Sequence, residues 1–165
     1  MFSMHTREPT TQENSSTSFE ALDPDFAARV RASFARQRIM ALLGAELASI
    51  EPGLCEIQLP FKDELCQQHG FFHGGVIGTI ADSAGGYAGF SLMPRDASVL
   101  TVEYKLNLVA PADGDCLTAR GRVIKPGRTL VVSRADVTVH KDGRETLCAT
   151  LLQTLMTMHA RKDEA

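Results

Sequence analysis

The sequence predicts an α+β domain in which an antiparallel sheet wraps around one long, slender helix. Three observations carry that expectation. A glycine-rich apolar stretch with three- and four-residue spacing occupies the middle of the chain, four strand-like segments divided by turn signals follow it, and a short hairpin precedes it.

Residues 1–22 are rich in Thr, Ser, Gln, Glu and Asn without apolar periodicity, which suggests a mobile arm ahead of a single domain at 23–160. Asp23-Pro24-Asp25 sets a helix start. Phe26, Val30, Phe34 and Ile39-Met40 then make one amphipathic helix whose other face, with Arg29, Arg31, Arg36 and Arg38, reads as solvated. Glu51-Pro52-Gly53 turns Ala45–Ile50 into Leu54–Leu59, and Pro60 ends that hairpin.

Gln67 to Gly75 carries too many glycines and side-chain donors to begin as helix. From Val76 to about Leu92 the pattern is helical, with Val76, Ile77, Ile80, Ala81, Ala84, Ala88 and Leu92 on the apolar stripe, so the helix starts at the glycines. Each helical glycine lowers propensity by roughly 1 kcal/mol relative to alanine, so such a helix needs a surrounding sheet for support. Met93-Pro94-Arg95-Asp96 breaks it. Val102, Tyr104, Leu106 and Leu108 alternate with Glu103, Lys105 and Asn107, which turns one side of that strand toward the helix. Turns at Asp113-Gly114-Asp115, Lys125–Arg128 and Lys141-Asp142-Gly143 then join Cys116–Ile124, Thr129–Val139 and Glu145–Met158 into a four-strand meander.

A chain of 165 residues with 17 Lys and Arg against 20 Asp and Glu has a net charge of −3, which gives no electrostatic footprint for nucleic acid. The four cysteines, Cys55, Cys66, Cys116 and Cys148, form no CxxC pair, and the start lacks the basic-then-apolar order of a secretion signal. A reducing cytoplasm is the expected setting. Gly70–Met93 holds His73 and Asp82 among many glycines and makes a poor membrane span, so no membrane partner is expected.

Two places point to chemistry. The first N–H groups of a helix lack partners and carry its positive dipole end, so His73-Gly74-Gly75 offers donors to a developing negative oxygen. Asp82 is a carboxylate within an apolar helix, costly to bury without partners; read alone it fits a surface aspartate as well as a functional one. Ser83 lacks the first glycine of a serine elbow, and His69 with His73 lacks a third ligand, so no metal is expected.

His73-Gly74-Gly75, with Asp82 nine residues after the histidine and the Gln67 amide six before it, resembles the phenylacetic acid degradation (PaaI-like) branch of the hotdog-fold acyl-CoA thioesterases. Thr101–Pro111 looks like that family's following strand, and the similarity covers roughly Leu43 to Met158. The resemblance implies a hydrolase that converts an acyl- or aryl-CoA thioester to free acid and coenzyme A, with no cofactor beyond the coenzyme A of the substrate. It implies Asp82 as general base or nucleophile and the Gly74 N–H as oxyanion donor. His73 is in a supporting role, and Thr101 helps place the reacting group. Gln67 supplies an amide where this branch usually has asparagine and the 4-hydroxybenzoyl-CoA branch has glutamine. Gly75, Phe72 and Arg128 are the implied substrate contacts, with Phe71, Tyr87 and Phe90 as further pocket candidates. The basic helix face is a second candidate for the coenzyme A phosphates. The family's assembly implies a homodimer, paired into a homotetramer, in which Gln67 and Gly74 of one subunit meet Asp82 and Thr101 of another. Two other readings stay open at this point: a hotdog enoyl-CoA hydratase or dehydratase, and a non-catalytic acyl-CoA-binding sensor.

Overall fold

The computed structural model describes residues 18–160. Residues 1–17 of the expected arm lie outside that range; of the rest, Phe19 packs on the core with its ring against Gly53. Helix α1 (Phe26–Arg36) and the short α2 (Arg38–Leu43) lead into strands β1 (Glu46–Glu51) and β2 (Leu54–Pro60). A single 3₁₀ turn at Asp63–Leu65 precedes the long helix α3 (Gly74–Phe90). Strands β3 (Ser98–Leu108), β4 (Cys116–Lys125), β5 (Leu130–Lys141) and β6 (Arg144–Met158) complete the fold.

All strands pair antiparallel in one sheet of order β1-β2-β4-β5-β6-β3, and α3 packs against β2 to β6. This is the expected hotdog arrangement. Four of the five strand pairs carry a register shift, and such bulges bend a strand and sharpen its twist, which lets the sheet curve around the helix. Contact between helix and sheet is close enough to dictate residue size. A Cβ at Gly121 of β4 would stand 2.1 Å from the Ala84 carbonyl oxygen, so strand and helix backbones touch there. Ile80 and Phe90 of α3, with Ile57, Leu117, Leu151 and Leu155 of the sheet, are sealed in the resulting core.

Four expectations change. The meander holds only for β4-β5-β6, because β3 does not pair with β4 but crosses to the far edge beside β6. Alternation along a strand reports its two faces and not its neighbour. The single N-terminal helix is two, broken where Gln37 takes an extended conformation (φ −72°, ψ 97°).

Arg29, in addition, is not on a solvated face. Its guanidinium donates to the carbonyl oxygens of Pro94 at 2.7 Å, Met93 at 2.8 Å and Phe90 at 3.2 Å, stands over the Phe90 ring at 4.3 Å, and pairs with the buried Asp23 at 3.2 Å. It satisfies the last carbonyl of α3 and two carbonyls of the segment that follows, where a cation also meets the negative end of the helix dipole.

Finally, Val102 does not share a face with Tyr104. A bulge between Thr101 and Glu103 shifts the phase, so the inward set is Thr101, Tyr104 and Leu106, opposite Leu155, Gln153 and Leu151 of β6.

Candidate active site

The helix start is built as the sequence suggests. His73 is the N-cap of α3, extended at φ −67° and ψ 137°, and its Nδ1 accepts the Gly75 N–H at 2.9 Å. Its carbonyl takes the N–H groups of Val76 and Ile77. Because the ring accepts at Nδ1, its N–H sits on Nε2. Gly75's N–H is thereby engaged, whereas the Gly74 N–H has no acceptor among the described residues. One free donor remains at the positive end of the helix, not two.

A shallow pocket of about 490 Å³ opens at this end, with Gln67, Phe71, Gly74 and Leu108 in its wall. Gln67 is partly buried; its side-chain Oε1 accepts the His69 N–H and its own N–H donates to Phe71, so the amide is tied into the loop. Phe72 reaches the same wall but is 3% exposed and packed edge-on to Phe61 at 5.2 Å, which makes it chiefly a core residue.

Asp82 lies eight residues further along α3, about 12 Å along the axis at 1.5 Å per residue. It opens on a different cleft of about 470 Å³, walled by Ser33, Arg36, Gln37, Ser83, Tyr87 and Thr101, with Gly86 leaving open space where a side chain would stand. The carboxylate is oriented. Its Oδ1 accepts from Thr101 Oγ1 at 2.8 Å and from Gln153 Nε2 at 3.0 Å; no described residue donates to Oδ2. The bulge in β3 is what turns Thr101 inward to make the first of these bonds.

The structure therefore brings Asp82 and Thr101 together, and separately Gln67, His73 and Gly74, but not the two sets within one chain. Arg128 is remote from both. It stands in the β4–β5 turn beside Leu92 and Met93, past the other end of α3, in a cavity of about 390 Å³. Tyr87 lines the Asp82 cleft with its hydroxyl 3.3 Å from Ser33 Oγ, while Phe90 is sealed beneath Arg29. The basic helix contributes Arg36 to that cleft.

Sequence reasoning missed Gln153. The signal was present: Leu151, Gln153 and Leu155 alternate along β6, so an amide stands between two leucines on the inward face. No cluster of three His, Cys, Asp or Glu able to hold a metal ion occurs among the described residues, and none of their helices is long and apolar enough to cross a membrane.

Strand β3 adds a surface feature. It stands at one end of the sheet, so its outer edge is unpaired among the described residues, and Leu100, Val102, Tyr104 and Leu108 along it are each about half exposed. An edge of this length with apolar side chains is a template for pairing with another chain.

Comparison with known proteins agrees with this fold. A family model described as "Thioesterase superfamily" matches residues 69–148, which span both the Gly74 turn and Asp82. The crystal structure of a thioesterase family protein from Silicibacter pomeroyi is 48% identical and superposes with a TM-score of 0.80 over 81% of this chain and 98% of that one. A protein of Saccharolobus solfataricus that carries an esterase designation is 32% identical over 72% of this chain and 77% of its own. A 1,4-dihydroxy-2-naphthoyl-CoA hydrolase from Listeria monocytogenes is 27% identical over 58% of this chain and 78% of its own.

Proposed function

The chain belongs to the thioesterase superfamily, and from that premise we propose that it hydrolyses an acyl- or aryl-CoA thioester to the free acid and coenzyme A, with Asp82 as the reacting carboxylate. The observation that carries this reading is the state of Asp82: a carboxylate on an apolar helix that lines a cleft, held at one oxygen by Thr101 and Gln153 and with no described donor at the other. A carboxylate in such a place needs partners to be tolerated, and here the partners orient it.

The chemistry takes one of two routes. As general base, Asp82 removes a proton from water while the water oxygen bonds to the thioester carbonyl carbon and the π pair moves onto the carbonyl oxygen. Collapse re-forms the carbonyl and breaks C–S, and the sulfur takes the proton back from Asp82. As nucleophile, an Asp82 oxygen bonds to the carbonyl carbon, C–S breaks with release of the coenzyme A thiolate, and water hydrolyses the resulting anhydride. Both routes pass through an oxyanion, and the free Gly74 N–H at the head of a helix is the donor that meets it.

Gly74 and Asp82 of one chain face different clefts, so the complete site is formed between two copies. The exposed apolar edge of β3 is where the second copy docks, which sets Gln67 and Gly74 of one subunit against Asp82 and Thr101 of the other. The named activity of the Listeria relative supports coenzyme A as the thiol half of the substrate.

Asp82→Asn tests the proposal. Free thiol release from a panel of acyl-CoA thioesters is expected to fall by roughly 10²- to 10⁴-fold, with thermal unfolding showing that the fold is kept. A folded variant with undiminished release on every substrate refutes it.

A further inference from the structure

Gln153 is 1% exposed in the middle of β6, and its amide is used asymmetrically. Nε2 donates to Asp82 Oδ1 at 3.0 Å and to the Asp82 main-chain oxygen at 3.3 Å, while Oε1 is buried without a partner. The orientation follows from these neighbours. A flipped amide would set Oε1 against a carboxylate oxygen and a carbonyl oxygen, two contacts between acceptors. An isolated buried acceptor is a cost, and a leucine like those on either side would avoid it. The residue is retained in the one orientation that grips Asp82 by both its side chain and its backbone.

The helix makes room for it. A Cβ at Gly85 would come within 2.0 Å of Gln153 Oε1 and 3.1 Å of Ser133 Oγ, so any side chain there would push the amide off the carboxylate. The two successive glycines after Ser83-Ala84 thus divide the work. Gly85 admits the amide behind Asp82, and Gly86 leaves the cleft beside it open.

We propose that Gln153 is a positioning residue that acts with Thr101 to immobilise Oδ1 of Asp82, so that Oδ2 is the oxygen presented to water or to the thioester carbonyl. This rests on the reading of Asp82 as the reacting carboxylate. Oδ1 has two donors, at 2.8 and 3.0 Å, and one from each flanking strand, which fixes both the rotamer and the plane of the carboxylate. Oδ2 keeps its lone pairs for chemistry, since no described residue donates to it.

Gln153→Met keeps length and removes both donations. Expected is a fall in kcat of about 10- to 100-fold, the effect of a misaimed reacting group, with KM within about twofold of the parent. Gly85→Ala should reproduce that split with Gln153 untouched. The double variant Gly85→Ala/Gln153→Met should regain stability over Gly85→Ala, because the flexible thioether yields where the amide cannot, without regaining kcat. In an Asp82→Asn background, Gln153→Met should add less than a further twofold loss, which a merely structural role would not produce. A folded Gln153→Met or Gly85→Ala protein with kcat within twofold of the parent overturns the inference, as does full additivity with Asp82→Asn. If Asp82→Asn is itself fully active, the underlying reading fails instead, so the two failures are told apart.

Discussion

Mixing two impaired variants asks whether the proposed reacting carboxylate and the proposed oxyanion donor come from different subunits. The first variant is Asp82→Asn, which keeps Gly74. The second is Gly74→Pro, which deletes one hydrogen atom of interest and little else. Proline is favoured at the first helical position, where its missing N–H costs no helix bond and its fixed φ suits the turn. His73, extended at φ −67° and ψ 137°, already has the conformation that a residue before proline prefers. A Cβ at position 74 would meet Leu108, whose Cδ1 would lie 2.9 Å from it and whose methyl can rotate away. Alone, the proline variant should lose roughly 10²- to 10³-fold in kcat, the usual cost of one oxyanion donor. The two variants are then unfolded together, refolded at equal concentration and assayed for thiol release. Random pairing makes half of the dimers mixed, and each mixed dimer has one site of two intact, so activity should recover to about a quarter of the parent's per chain. Within a single chain the two groups are about 12 Å apart along α3 and face separate clefts, so a site confined to one subunit predicts no recovery. Activity no higher than the sum of the unmixed variants would refute the shared site.

Three further outcomes test the fold that presents it. Arg29→Met removes the cation from the carbonyls of Phe90, Met93 and Pro94 and strips the buried Asp23 carboxylate of its ion pair, leaving it the Asp25 N–H at its other oxygen, which should cost about 3–5 kcal/mol. Thermal unfolding at fixed protein concentration should show a Tm lowered by about 6–20 °C, and Asp23→Asn added to it should restore part of that loss. Gly121→Val forces a side chain into the Ala84 carbonyl, a backbone contact that cannot rotate away, and urea denaturation should show a loss of about 3 kcal/mol or more; an unchanged midpoint would mean the helix is not seated where described. Burial pushes the Cys55 thiol up from 9.0 to about 12. The folded state thus holds its proton between those values while the unfolded chain loses it. Stability contributed by Cys55 is whole below about pH 9 and declines by up to about 1.4 kcal/mol per pH unit toward pH 12. Cys55→Ala should flatten that decline in alkaline urea titrations, and iodoacetamide at pH 8 should leave Cys55 unmodified in the native protein.

What the sequence discloses about this site is local, and what it conceals is the pairing between distant segments. His73, Gly74 and Asp82 share one helix, so their spacing alone places a capped helix start and a carboxylate two turns on. The Asp82 partners come from strands 19 and 71 residues away, and nothing in either strand names the other. Strict alternation through Thr101-Val102-Glu103-Tyr104 would turn Thr101 away from the helix whenever Tyr104 faces it. Only the extra residue at Val102 brings both inward, and a bulge is set by the partner strand's register rather than by the residues that form it. Arg29 shows the same limit. On a helical wheel it resembles Arg31, Arg36 and Arg38, and its capping role exists only because α3 happens to end above it. Gln153 lies between these cases, since its inward position was readable from Leu151 and Leu155 but its purpose was not. An inward amide in a strand of leucines asks for a buried partner, and the search for that partner leads to the one carboxylate of α3. Buried polar residues at apolar positions are therefore the feature by which a strand otherwise silent about function can be connected to a helix that carries it.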